Sequence, residues 1–309
     1  MGKKIFKTID EQIDILKNKG LDFTNFENPS EVLVRENYFF INGYRHLFLK
    51  SANSNQFIEG TNFSELYGLF CFDRHLRNIL FKNIMIVENN IKSIFSYVIS
   101  KNHGYKESTY LDASMFVKDP KRIRQISDLI KKMKRQIRVN GNQHNATKHY
   151  MENYGYLPLW VVVKVLSFGI ISELYSILQK EDQEEIAGYF DVTVDELLVY
   201  LPILSNYRNL CAHEDICYEH KSYTYIKPTK YHHLLSIPKE DEEYIYGLND
   251  VFSLVIVLKS VLRKDDFNLL IYEISYEIDV LSGKLKTIDI IKVLDRMGFP
   301  PNYGAIKDL

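Results

Sequence analysis

FSELYGLFCFDRHLRNILFKNIMIVENNIKSIFSYVISK, running from Phe63 to Lys101, decides the fold class. Its apolar residues Leu66, Leu69, Phe70, Leu76, Leu80, Ile84, Val87, Ile91, Ile94 and Val98 recur at the three-and-four spacing of one helical face, not at the interval of two that a strand needs. No proline interrupts the pattern, and Gly68 is the only glycine inside it. The stretch is therefore a long helix about which the chain is built. Asp73, Arg74, Arg77 and Glu88 are embedded in it. On a central helix such charges must be paired, surface-facing or functional.

Working outward, Thr8 to Gly20 reads as a short amphipathic helix with Ile9, Ile13 and Leu16 on one side. Ser30 is expected to cap a second helix, followed by the aromatic cluster Tyr38-Phe39-Phe40-Ile41. Asn42 to His46 is turn-like, and Ser51 to Gly60 is a polar loop. Beyond the long helix, His103 to Phe116 is loop-like, and Asp119-Pro120 starts another helix by the cap-then-proline rule. Asn140 to Asn145 ends that helix and is expected to be mobile. Leu157-Pro158-Leu159-Trp160 opens a very apolar helix expected to run to about Gln179. Glu181 to Phe190 is a short helix, and Asp195 is expected to cap the helix that leads to Arg208. Tyr223 to Ile226 alternates as a short strand would, Glu240 to Glu243 is an acidic connector, and 248–262 and 267–281 read as C-terminal helices. The class is all-α. The expected organisation is an N-terminal helical segment 1–60, a helical core 61–240 and a C-terminal helical extension 241–309.

Composition narrows the functions. With 46% hydrophobic residues, 22 Tyr and 18 Phe the chain can bury a sizeable core. A net charge of −1 gives no overall field toward nucleic acid, so such binding must use local patches. Cys71, Cys211 and Cys217 cannot build a disulfide framework, and the N-terminus Met1 to Lys7 lacks the apolar core of a signal peptide. The longest apolar stretches, such as 159–171 with Lys164 inside, are too short to span a bilayer. The expectation is a soluble cytoplasmic protein without a membrane partner. There is no internal repeat and no glycine-rich phosphate loop.

One cluster carries chemistry. Arg208, Asn209 and His213 leave a single apolar helix within six positions. Metal-free RNA cleavage needs a base for the 2′-hydroxyl, an acid for the departing 5′-oxygen, and positive charge at the phosphorane. Histidine suits either proton role, and arginine suits the charge role because it stays protonated and grips phosphate at two points. The chain supplies one such histidine, so two chains about a two-fold axis would supply base and acid together. The plainer reading is a helix end with a histidine favoured by the dipole. A regular helix sets Arg208 and His213 roughly 140° apart, so either the arginine wraps around or the helix ends near His213. A rival reading takes Cys211, His213, Cys217 and His220 as metal ligands, although C-x-H-x3-C-x2-H is not a standard zinc spacing.

Two further sets stand beside it. Ten Lys and Arg from Lys118 to Lys148 face two acids, a local excess of eight. Among them Lys121, Arg122, Arg124, Lys131, Lys132, Lys134, Arg135 and Arg138 surround the apolar stripe Ile123, Ile126, Ile130, Met133 and Ile137. This is either a solvated helix face or a track for an RNA backbone. Asp73, Arg74, Arg77 and Glu88 read as a buried or semi-buried ion-pair network or as support for Arg208 and His213, with Asp73 or Arg77 facing the cleft.

The ordered segments Asn42-Gly43-Tyr44-Arg45, Leu66-Tyr67, Phe72 to Arg77, Glu88, Leu157 to Trp160, Leu166 to Gly169 and Tyr207 to His213 resemble the bacterial Abi-like (AbiD/AbiF) abortive-infection proteins over roughly residues 8–220. The resemblance implies an HEPN-like helical bundle with N- and C-terminal additions. Its signature, an arginine, a following polar residue and a histidine, falls on Arg208, Asn209 and His213. The resemblance further implies a dimerising, metal-independent endoribonuclease of antiviral defence, without cofactor, leaving 2′,3′-cyclic phosphate and 5′-hydroxyl ends. The expected partners are RNA as substrate, a second copy of the chain, and, as the alternative function, a structured non-coding RNA held without chemistry by the basic helix 119–138.

Overall fold

The computed structural model describes residues 5–309; Met1 to Lys4, which begin the stretch read above as lacking a signal peptide, lie outside the described residues. The chain is all-α. Three helices open it: α1 (Ile9–Asn18), α2 (Pro29–Glu36) and α3 (Tyr38–Gly43). They lead into α4 (Phe63–His103), a helix of 41 residues. There follow α5 (Glu107–Tyr110), α6 (Ile123–Asn140), α7 (Asn145–Tyr154), α8 (Leu159–Val162), α9 (Phe168–Ile177), α10 (Lys180–Gly188) and α11 (Val194–Ala212). The C-terminal part holds α12 (Lys230–Leu234), α13 (Val251–Val261), α14 (Lys264–Ser282) and α15 (Ile290–Met297).

α4 is the axis. α14 and α11 lie along it, α8 and α10 pack on it, and α11 also packs on α9. Its apolar face, Leu66, Leu69, Leu76, Leu80, Ile84, Val87 and Ile91, is fully buried, as the periodicity requires. Asn62 starts the helix through a capping box with Glu65. The Glu65 carboxylate also accepts from the backbone N–H groups of Lys286 (2.6 Å) and Thr287 (2.8 Å), which ties the C-terminal segment to the first turn of α4. Lys82 bonds Glu273 at 2.6 Å and His75 bonds Glu277 at 2.8 Å, joining α14 to the first half of α4 on its more exposed side.

Several local expectations are corrected. The apolar run from Leu159 is two helices, because the chain leaves helical bonding at 163–167 and restarts with Ser167 as cap. Ser167 offers its hydroxyl to the N–H of Ile170, and its own N–H bonds Gln136 Oε1 at 2.8 Å. A continuously apolar stretch has no period in which such a break is visible. Thr193, not Asp195, caps α11, through a capping box with Glu196. The second helix starts at Asn28-Pro29, with proline at its first position, so Ser30 already lies inside it.

Tyr223 to Ile226 is not a strand, although its ends are pinned by bonds from Ser222 N–H to Asn249 O and from Ile226 N–H to Leu248 O. The strands are β1 (Lys239–Glu240) and β2 (Glu243–Tyr244), paired antiparallel through the acidic connector. Asp241 and Glu242 both have positive φ, as a tight two-residue hairpin demands. The polar segment after α6 is a short 3-10 turn that feeds α7, a helix missed because its residues are mostly polar. The buried Thr147 hydroxyl anchors that junction on the His144 carbonyl at 2.6 Å.

Candidate active site at the end of α11

The buried side of α11, with Leu197, Leu201, Leu204 and Tyr207, fixes the helix in the core, so the residues at its end have little freedom of direction. The helix stops at His213. Glu214 adopts φ 58°, and the Asp215 N–H reaches back to the Leu210 carbonyl at 3.3 Å, a left-handed cap usually built with glycine. Here a residue with a Cβ takes that conformation, at a cost of roughly 1 kcal/mol, directly after the histidine.

Because the helix is regular to Ala212, Arg208 and His213 leave it on different sides. Arg208 is one third exposed; its guanidinium lies 5.6 Å from the centroid of Phe81 on α4. Its Nε stands 3.4 Å from Glu88 Oε2, and neither atom has a hydrogen-bond partner. The other oxygen of Glu88 accepts from Lys92 Nζ at 2.6 Å. These groups border a cavity of about 350 Å³ that Lys164, Asn89, Gln136 and Asn140 also line. Three cations against one carboxylate make it a place for an anion. Asn209 and His213, one turn apart, are exposed and make no side-chain hydrogen bond among the described residues, and His213 does not line this cavity.

Asp73 is sealed in and does not face a cleft. It accepts from Tyr44 Oη (2.7 Å), Arg77 Nη1 (2.5 Å) and the backbone N–H groups of Cys217 (3.0 Å) and Tyr218 (2.7 Å). Burial pushes its carboxyl up, while Arg77 and these hydrogen bonds favour the charged form. The same burial, with Asp73 adding to it, pushes the Tyr44 hydroxyl well up, so it remains a donor. Arg77 is almost fully buried but reaches the wall of a second cavity, of about 650 Å³, shared with Arg74, Glu214 and Asp215. Asp73 and Arg77 thus hold the segment that follows the histidine, whereas Glu88 touches the arginine itself.

The rival metal set is not assembled. Cys217 shares a hydrogen bond with Cys211, which together with burial pushes its thiol well up, and His220 bonds Asn206 at 2.8 Å. Among the described residues no three His, Cys, Asp or Glu side chains converge as metal ligands.

On α6, Ile126, Leu129, Ile130 and Met133 are buried, whereas Ile123 is left outside. Lys121, Lys134, Arg135 and Arg138 are exposed, with no carboxylate partner among the described residues. Lys131 pairs with Asp128 at 3.2 Å, Arg124 lies 4.0 Å from the same residue, and Lys132 bonds Glu173 at 2.8 Å. Arg122 turns inward to the Ser176 carbonyl. Lys131, Lys134, Arg135 and Arg138, spaced by three and four, form one exposed stripe along α6, of which Lys131 alone is paired, with Asp128.

Sequence reading missed Lys92, Lys164 and Phe81. Lys92 was detectable, four residues after Glu88 on the same helix, and Lys164 by its place in an apolar run. Nothing in sequence tied Phe81 to Arg208. Among the described residues no helix is long and apolar enough to cross a membrane.

The sequence model of a family described as Abi-like protein matches residues 31–219, more than half of the 309 residues. No curated protein and no solved structure matches the chain.

Proposed function

The chain belongs to the Abi-like protein family, and from that premise we propose that it is a metal-independent endoribonuclease whose active site is completed by a second copy of the chain. Abortive-infection defence comes with the family. The observation that supports the chemistry is the open end of α11, where His213 and Asn209 stand exposed and unengaged, while Arg208, on another side of the same helix end, is set against Glu88 at the edge of a cavity. In this reading one His213 takes the proton of a 2′-hydroxyl, whose oxygen attacks the adjacent phosphorus. The partner copy's histidine donates a proton to the leaving 5′-oxygen. Arg208 steadies the phosphorane charge and Asn209 orients the histidine or the phosphate. The products are a 2′,3′-cyclic phosphate and a 5′-hydroxyl. Unpaired RNA is the substrate, since its bases can be splayed out.

The test is incubation of purified protein with single-stranded RNA in excess EDTA, followed by mapping of the product ends. Cleavage with cyclic-phosphate ends, lost in His213→Ala, is expected; full activity of His213→Ala overturns the reading. A second reading, a binder that holds a structured non-coding RNA without chemistry, is favoured by the stripe Lys131, Lys134, Arg135 and Arg138. There, neutralising the stripe abolishes function while His213→Ala preserves it.

A further inference from the structure

Five large aromatic side chains that the catalytic reading does not use form a closed ring on the surface. Tyr105 lies 5.2 Å from Trp160 and 6.0 Å from Tyr156, centroid to centroid. Tyr156 lies 6.4 Å from Tyr154, which lies 5.2 Å from Tyr150. The Trp160 indole N–H then reaches the Tyr150 hydroxyl at 3.5 Å. The local fold makes this cluster deliberate. Tyr150 and Tyr154 are one turn apart on α7, Gly155 ends that helix in the left-handed conformation, and Tyr156 follows at once. α8 buries Leu159, Val161 and Val162 but turns Trp160 outward, and the Leu159 N–H bonds the Tyr105 carbonyl at 2.9 Å. Tyr154 is 57% exposed, Trp160 44% and Tyr105 36%, so ring surface is left for a partner.

The surrounding charge says what kind of partner. Lys106 Nζ sits 4.7 Å over the Tyr156 ring. Lys164 lies one turn beyond Trp160 and lines the cavity that holds Arg208. On the other side, Lys148 of α7 and Arg138 of the basic stripe line one cavity of about 530 Å³. Of the nearby acids, Glu107 is engaged by the Leu157 N–H at 2.6 Å, and Glu152 lies 3.7 Å from Lys148. Aromatic faces with a lysine over one ring, and with Lys148 and Lys164 close by in sequence as links to the Arg138 and Arg208 cavities, suit a chain of flat bases on a phosphate backbone. A hydrophobic protein partner would not call for the cations.

We infer that Tyr105, Tyr150, Tyr154, Tyr156 and Trp160 form a stacking platform for unpaired nucleobases, which leads single-stranded RNA from the α6 stripe toward Arg208. The inference rests on the reading of RNA as substrate. Trp160 is the only tryptophan, so the platform reports on itself. The experiment titrates the full chain carrying His213→Ala with a fluorescein-labelled single-stranded RNA 20-mer. Anisotropy follows binding, and an unlabelled copy is used to follow tryptophan emission.

Binding with quenched emission is expected, and an abasic strand of the same charge should give little quenching. Tyr154→Ala should weaken binding roughly tenfold, while Trp160→Phe, which keeps a ring, should bind nearly as wild type. Binding without quenching, or equal quenching by the abasic strand, overturns the platform and leaves the nuclease reading standing. No RNA binding by any measure, with no cleavage by the unmutated chain, overturns both.

Discussion

Arg208 on α11 meets Glu88 on α4 at 3.4 Å, charge to charge but without a hydrogen bond, while Lys92 holds the other carboxylate oxygen at 2.6 Å. Glu88 therefore fixes where the guanidinium sits without occupying its donors. A phosphate entering the cavity can take those donors while Phe81 and Glu88 keep the group in place.

Arg208→Lys is expected to lower cleavage roughly a hundredfold or more, because an ammonium is a point charge that offers no two-point grip. Stability should change by less than about 1 kcal/mol, since the side chain is partly exposed. Cleavage rates compared with urea unfolding of the same protein check both halves.

Asp73→Asn is expected to destabilise the chain by about 3 kcal/mol or more, since it strands Arg77 in the interior and weakens the hold on Cys217 and Tyr218. Urea unfolding measures this. The exposed His213→Ala, by contrast, should unfold within about 0.5 kcal/mol of wild type.

Asp250 caps α13 from a buried position, and burial raises its carboxyl to about 6. An unfolded aspartate titrates near about 4. The folded state thus binds the extra proton between those values, and this group's contribution to stability falls as pH rises from about 4 to about 6, then stays level. The full effect is up to about 3 kcal/mol. The unfolding free energy of Asp250→Asn relative to wild type should therefore rise across that window, whatever its offset, and unfolding midpoints at pH 4.5 and 7 test it.

Replacing Lys134, Arg135 and Arg138 together by glutamine should reduce the salt dependence of single-stranded RNA binding. For three lost phosphate contacts the slope of log affinity against log salt becomes shallower by about 2. An unchanged slope would place the RNA elsewhere.

The all-α class was legible because the 41-residue α4 announces itself by period alone, and α11 by its apolar run. The start of α1 at Thr8 was legible, whereas a cap was misplaced where two candidate residues lay close together, as Thr193 and Asp195 do. The break between α8 and α9 was hidden by uniform hydrophobicity, and α7 by its polarity. Of the candidate site, Arg208, Asn209 and His213 were readable as residue types at one helix end. Their divergence followed from helix geometry, but the neighbours that Arg208 meets did not, because Glu88 and Phe81 lie more than a hundred residues earlier. The aromatic ring was equally hidden, since α6 and α7 separate Tyr105 from Trp160 in sequence.

The most direct test of the central claim is a mixing experiment. Wild-type chain is equilibrated with increasing His213→Ala chain at constant total concentration, and RNA cleavage is measured in EDTA. If both histidines of a dimer serve one site, mixed dimers are dead, and an equal mixture retains about a quarter of the wild-type rate. A rate of about a half, falling linearly with the wild-type fraction, would show that each chain works alone and would contradict the shared site.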